Sequence, residues 1–270
     1  MALQPITVAP PRKRWKPSAA LRDRMINVLS PVGLLLLWEA AAAAGMVDVR
    51  FFPPPSGIAR TFFTLLQSGE LGMHTWASLK RLFWGSLLGG VPALILGILM
   101  GIVRPIRAFV DPLIAATYPI PKSSILPLVL LIFGLGEMSK VVMVAIGVFF
   151  PVAINATAGV LEINKIYLDV GKNFRAGRWN TFRTIALPGA LPFIMTGVRL
   201  GIGMGLVLIA IAEMVGAKSG LGAMIWSAWE TFAVEKMYVG LSVIAIIGFA
   251  LTLGLNEIER LVIPWKADRA

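Results

Sequence analysis

The chain has 270 residues, of which 57% are hydrophobic and only 14% charged, with a mean hydropathy of +0.80. That composition excludes an ordinary soluble domain and leaves room for several apolar spans of about 20 residues each. The net charge of +11 and pI near 10.4 would point to nucleic acid in a soluble protein, but in a membrane protein basic residues report topology, and no nucleic-acid partner is implied. The absence of cysteine excludes disulfides, zinc–thiolate sites and thiol catalysis. The lone His74 builds no histidine metal site and is expected at the interfacial mouth of a span.

Met1–Arg24 is polar and basic, with Arg12, Lys13, Arg14, Lys16, Arg22 and Arg24, and reads as a disordered cytoplasmic tail able to touch anionic lipid. A signal peptide competes, since Ala40–Ala44 has the small-residue look of a cleavage site, but the charged lead-in is long and the apolar run carries Glu39. The first span is Ile26–Met46. Pro53, Pro54 and Pro55 then introduce a mixed segment, Ile58–Leu66, that suits a short interfacial helix. The second span, Leu79–Val103, pairs Gly85 with Gly89 and Gly97 with Gly101, a spacing that allows close helix approach in lipid. Lys80 and Arg81 fall at its edge, and a basic loop with Arg104 and Arg107 follows it.

The third span, Phe109–Leu135, is broken by Pro112, Pro119, Pro121 and Pro127. Interrupted backbone at membrane depth needs protein or a wet cavity to supply hydrogen-bond partners. Pro119, Pro121 and Pro127 are therefore candidate pathway lining, with a kinked structural helix as the alternative. The fourth span, Ser139–Val160, contains Pro151 and Asn155, the latter a further pathway candidate. The fifth is Gly189–Val215 and the sixth Met237–Ile263, with an amphipathic outer segment, Gly216–Lys236, between them. Six spans put both termini on one side, which collects most of the 25 Lys and Arg and is therefore read as cytoplasmic.

Between the fourth and fifth spans lies a basic, aromatic stretch, Leu168–Pro192, LDVGKNFRAGRWNTFRTIALPGALP. At about 100° per residue, Tyr167, Val170 and Phe174 share a side suited to resting on the ends of the spans, and Lys172, Arg175, Arg178 and Trp179 cover an adjoining side left free for a partner. Pro188 and Pro192 predict a turn before the next span.

Ile185-Ala186-Leu187-Pro188 reproduces the close of the cytoplasmic motif of binding-protein-dependent ABC importer permeases, EAA, three residues, Gly, nine residues, Ile-x-Leu-Pro. Counting back puts Asp169, Val170 and Gly171 at the EAA positions and Arg175 at the glycine position, so the opening part is degenerate. Pro53–Ser56, Tyr118–Pro121, Phe133–Glu137, Thr196–Arg199, Ala212–Met214 and Gly220–Gly222 are similar, in order, to permeases for nitrate, taurine and alkanesulfonates, and the resemblance runs from Phe51 to Trp265. It implies an all-α integral membrane protein of six transmembrane helices with a cytoplasmic coupling helix between the fourth and fifth. One permease domain, 26–265, would contain a coupling segment at about 164–188, flanked by tails 1–25 and 266–270. It also implies a homodimer in the bacterial inner membrane, two cytoplasmic ATPases that bind ATP and Mg, an outer substrate-binding protein, and a small anion as cargo. Asp169, Gly171, Arg175, Arg178, Trp179, Ile185, Leu187 and Pro188 would carry the ATPase coupling.

No cofactor site is expected on this chain. Ala217-Lys218-Ser219 lacks the glycines of a phosphate-binding loop, so ATP would be bound by another subunit. Arg199 lies about 18 Å into the fifth span if that span begins near Leu187. A guanidinium there costs at least about 2.5–3.5 kcal/mol to insert. It either faces the pathway and helps an anion through, or forms a structural ion pair with Glu39 or Glu213. Glu213 is itself a pathway candidate. A secondary transporter would call for intramembrane acids and repeated halves, and Glu39 and Glu213 alone are a weak signal for it. A membrane enzyme would need a nucleophile, base or metal cluster.

Overall fold

The computed structural model describes residues 17–265, and every regular element among the described residues is helical. The parts of the two expected tails before residue 17 and after residue 265 lie outside the described residues. The chain divides into two units, Met1–Gly57 and Ile58–Ala270.

The first unit is built on α1, Pro17–Ala43. The expected disordered tail is thus helical from Pro17 onward. Proline fits a first turn, where no intrahelical donor is required, and Ala19, Ala20 and Leu21 are strong helix formers. The apolar part, Leu29–Ala43, is shorter than the long helices that follow. It stops before the expected Met46 because Gly45 takes φ +68° and the Met46 amide closes back onto the Ala41 carbonyl at 3.0 Å. Late in α1, the Glu39 carboxylate accepts hydrogen bonds from the Ser56 amide at 2.9 Å and the Ser56 hydroxyl at 2.7 Å. Ser56 lies in the first turn of α2, Pro55–Gln67, where orphan amides favour a carboxylate.

The second unit rests on α3, Glu70–Ile102, α6, Glu137–Leu161, and α9, Leu187–Met214. The most extensive packing is α3 on α6 and α6 on α9. Leu82 and Ala93 of α3 meet Val144, Val148, Val152 and Ala153 of α6 and Ile209 of α9 in one buried cluster. The close approach read from the glycine spacing is real. A Cβ at Gly97 would stand 2.6 Å from the Ala153 carbonyl oxygen, and one at Gly89 would collide with the Ala145 carbonyl. α10, Leu221–Glu230, packs with α11, Val234–Val262, through Leu221, Met224, Val239 and Val243.

Four helices are long and apolar enough to cross a membrane: α3, α6, the continuous run Trp179–Met214, and α11. A fifth candidate is a bent pair, α4, Arg104–Thr117, and the segment Lys122–Phe133, which comprises a 3₁₀ turn, Lys122–Ile125, and α5, Leu126–Phe133. The two arms meet at 89°. Pro119 and Pro121 stand in the break, as their missing donors and fixed φ require, while Pro127 sits at the start of α5, where proline is tolerated.

α3 begins at Glu70, ahead of the expected Leu79, and buries His74, Ser78 and Arg81 within the protein. One expectation fails here. Pro188 and Pro192 do not turn the chain. The helix enters through α8, Arg178–Thr181, and a π-helical turn, Phe182–Ala186, whose wide ring closes with the Leu187 amide on the Phe182 carbonyl. That expansion absorbs a proline without ending the helix.

Candidate functional site

The second unit carries a polar network centred on Arg81, which is 2% exposed, while its partner Glu137 reaches the surface with a side chain 61% exposed. The Arg81 Nε donates to Glu137 at 2.8 Å and its Nη2 to the other Glu137 oxygen at 2.5 Å. Its Nη1 donates to Glu213 at 2.8 Å and to the Ser219 carbonyl at 2.6 Å, and its Nη2 reaches the Ser219 hydroxyl at 3.2 Å. One planar fork on α3 thereby ties the first turn of α6, the end of α9 and the loop before α10.

Glu213, 1% exposed, is fully engaged. Besides Arg81 it accepts from the Ser78 hydroxyl at 2.8 and 2.9 Å and from the Gly222 amide at 3.0 Å. The Leu221 amide donates to the Ser78 hydroxyl at 2.8 Å. Glu213 and Ser78 together therefore cap α10 from two other helices, where the helix dipole favours a carboxylate. The His74 Nδ1 lies 3.1 Å from the Gly220 amide nitrogen and 3.0 Å from the Gly220 carbonyl oxygen, so His74 is a buried residue of this network. Gly220 itself has φ +119°, and a Cβ there would overlap the Glu213 carboxylate. Lys140, also buried, donates to the Leu135 carbonyl. The sequence drew attention to Glu213 but not to Arg81, which in this fold is its principal partner.

Arg199 pairs with Glu259 of α11 at 2.6 Å, and not with Glu213. Asn155 is half-buried; its amide donates to the Pro151 carbonyl at 2.8 Å, and its Cβ occupies the space beside Gly197. Pro119, Pro121 and Pro127 are exposed at the α4–α5 break. At that break the Lys122 ammonium donates to the carbonyls of Thr117 at 2.8 Å, Tyr118 at 3.0 Å and Ile120 at 3.0 Å. It also sits 4.1 Å from the Phe150 ring centroid of α6.

The basic segment before α9 holds α7, Lys165–Asn173. Here the apolar side expected to rest on the span ends is instead outward, with Tyr167, Val170 and Phe174 all exposed alongside Ile166. Among the described side chains of α7 the inward position is Gly171, which is buried and against which Ile185 packs so closely that a Cβ would lie 2.9 Å from the Ile185 Cδ1. A glycine lets the two backbones approach, so the bulky residues are left on the opposite side. α7 ends where Arg175 takes φ +49° and the Ala176 amide reaches back to the Gly171 carbonyl at 2.9 Å, a closing turn that usually recruits glycine. Asp169, Arg175 and Trp179 are exposed, and Trp179 lies against Phe182 with ring centroids 5.6 Å apart. Arg178 opens α8. Leu187 and Pro188 open α9 and are half-buried. Of the residues singled out for coupling, the fold brings Gly171 and Ile185 together.

Among the described residues, no group of His, Cys, Asp or Glu is arranged to hold a metal ion. The fold is similar to that of a solved structure of the MetNI methionine ABC transporter in an inward-facing conformation, with a TM-score of 0.61, 20% sequence identity, and coverage of 70% of this chain and 94% of that one. In sequence, the chain is 35% identical over 263 residues to the taurine transport system permease protein TauC of Escherichia coli (strain K12), covering 94% of each. It is 31% identical over 253 residues to the "Putative aliphatic sulfonates transport permease protein SsuC" of Bacillus subtilis (strain 168), covering 94% of this chain and 92% of that protein. Residues 93–266 match the family model described as binding-protein-dependent transport system inner membrane component. The chain belongs to that family: it is a multi-pass inner-membrane permease component of an ABC transporter, a class that leaves ATP hydrolysis to another subunit.

Proposed function

We propose that this permease forms the translocation pathway of an ATP-driven importer for a small organic sulfonate, such as taurine or an alkanesulfonate, or a comparable oxyanion such as nitrate. The cargo class rests on the relatives TauC and SsuC and on the positive balance of the chain. Two copies would face two ATPases in the cytoplasm and one binding protein outside. The six spans are α1, α3, the α4–α5 pair, α6, the α8–α9 run and α11, with both termini cytoplasmic. The permease domain covers 26–265, with basic tails on either side.

The observation that carries the ATPase-coupled reading is α7. Ile166, Tyr167, Val170 and Phe174 are exposed on a short helix held by Gly171 and Ile185 and stopped at Arg175. Exposed aromatics flanked by Arg175 and Trp179 make an anchor set suited to a protein cleft. Asp169, Gly171, Arg175, Arg178, Trp179, Ile185, Leu187 and Pro188 act together in this reading. The partner grips the outer side of α7, and its motion passes through the π-helical turn into α9. Glu213 with Arg81 keeps the outer end closed, while Pro119, Pro121 and Pro127 line the path.

The test is to purify the chain with whatever copurifies in mild detergent, then reconstitute it and measure ATP hydrolysis and labelled taurine uptake. A stoichiometric ATPase and ATP-dependent accumulation are expected. Solute movement by the chain alone without ATP would overturn the reading in favour of a secondary transporter.

A further inference from the structure

The α4–α5 pair passes as apolar membrane-spanning material only when taken as a whole, and it is broken in its middle. α4 contributes 14 residues, about 21 Å of helix, before the break. Read as a broken span, the pair puts its break at mid-depth, and read as a re-entrant loop it puts the break at the deepest point. In both readings polar groups at the break are remote from the lipid headgroups. Tyr118, Ser123 and Ser124 are nonetheless exposed. The two serine hydroxyls make no hydrogen bond to any described residue.

Lys122 stands beside them. Its ammonium is fixed by the three carbonyls of Thr117, Tyr118 and Ile120 and by the faces of Phe150 and Tyr118, with 4.1 Å and 5.7 Å to the ring centroids. Among the described residues no carboxylate pairs with it. This distinguishes it from Arg81 and Arg199, whose charges are met by Glu213, Glu137 and Glu259. Carbonyl dipoles hold the ammonium in place but leave its net charge uncancelled, and an uncancelled cation at membrane depth attracts an anion. Exposed hydroxyls at that depth call for water or a polar solute and not for acyl chains.

We propose that this break is an anion subsite of the pathway, with Lys122 supplying a fixed positive charge and Ser123 and Ser124 supplying hydrogen bonds to the oxygens of a sulfonate or comparable oxyanion. The inference rests on the permease reading above and adds the residues and the chemistry. Lys122 acts as a held charge that lowers the barrier for anions and raises it for cations.

The absence of native cysteine makes the test direct. Ser123→Cys and Ser124→Cys, each in the assembled transporter in lipid vesicles, are labelled with two methanethiosulfonates. One is the 2-sulfonatoethyl reagent, itself an alkanesulfonate, and the other is the trimethylammonioethyl reagent. Rates are referred to Thr231→Cys in the exposed turn after α10. The anionic-to-cationic rate ratio at Ser123→Cys or Ser124→Cys should exceed that reference by about tenfold or more, the enrichment a charged, walled cleft produces. Adding Lys122→Gln should erase most of the excess, and Lys122→Arg should retain it. If Lys122→Gln does not insert, the single-cysteine ratios with Lys122 and with Lys122→Arg still decide. No labelling at either position, or a ratio equal to the Thr231→Cys reference, overturns the proposal. Loss of ATP-driven taurine uptake in the parent protein would instead sink the importer reading and leave these ratios unchanged.

Discussion

The Arg81 guanidinium and the Glu213 carboxylate meet at 2.8 Å with side chains 2% and 0% exposed. They lie on helices more than a hundred residues apart in sequence and carry charges that neither water nor lipid reaches. Each is held by further donors and acceptors, so the pair is a joint between α3, α6, α9 and α10. Removing Arg81 leaves the Glu213 charge buried and unmatched, whereas removing Glu213 leaves Arg81 paired with Glu137 alone.

Arg81→Met should therefore destabilise the permease by about 3–5 kcal/mol, and Glu213→Gln by less because Arg81 keeps Glu137. The double variant Arg81→Met/Glu213→Gln should lose clearly less than the sum of the two single losses, because it removes both charges. Thermal unfolding in detergent across the four-protein cycle measures this coupling. Additive losses would mean that the two residues act separately.

Gly89 and Gly97 set the distance between α3 and α6. Replacing either with valine should cost about 1–3 kcal/mol by overpacking. Gly203, which has nothing within 4 Å of a built Cβ, should accept alanine with little change. Unfolding midpoints of the three variants separate close helix contact from a general intolerance of glycine replacement.

Arg175 holds a left-handed backbone at φ +49°, a conformation that costs an L-residue about 1–2 kcal/mol. Arg175→Gly should slow hydrogen exchange of the amides near the end of α7, and Arg175→Val should speed it, since a branched side chain tolerates that region poorly. The opposite order would place the end of α7 elsewhere. Coupling to ATP hydrolysis is a separate readout. If the Arg175 side chain contacts the ATPase, Arg175→Gly should weaken coupling even as it firms the helix.

Arg199 meets Glu259 at 2.6 Å, which favours a structural pair between α9 and α11 over direct contact with cargo. The double variant Arg199→Gln/Glu259→Gln should keep the KM for taurine uptake within about twofold, while Arg199→Gln alone lowers thermal stability by leaving a half-buried carboxylate less well matched. A large rise in KM in the double variant would return Arg199 to the pathway.

Composition and the long apolar runs determined that this is a helical membrane protein, and Ile185–Pro188 with the scattered short motifs determined its family. Both are local properties of the chain. Glycines at four-residue spacing also announced a close helix contact, because helical periodicity puts them on one face whatever lies opposite. What faces what was not legible. Arg81 looked like an edge residue because nine polar and apolar residues before Leu79 gave no clear start, yet α3 extends back to Glu70 and buries it against Glu213. The amphipathic pattern of α7 points its aromatic side inward, but a single glycine packed on Ile185 outweighs three larger residues when backbones must approach closely. Pro188 and Pro192 signal a turn in the sequence, but a π-helical turn supplies the slack that a proline needs. Charge pairing, inward faces and helix continuity are decided by which distant segments arrive together, and only the tertiary structure contains that information.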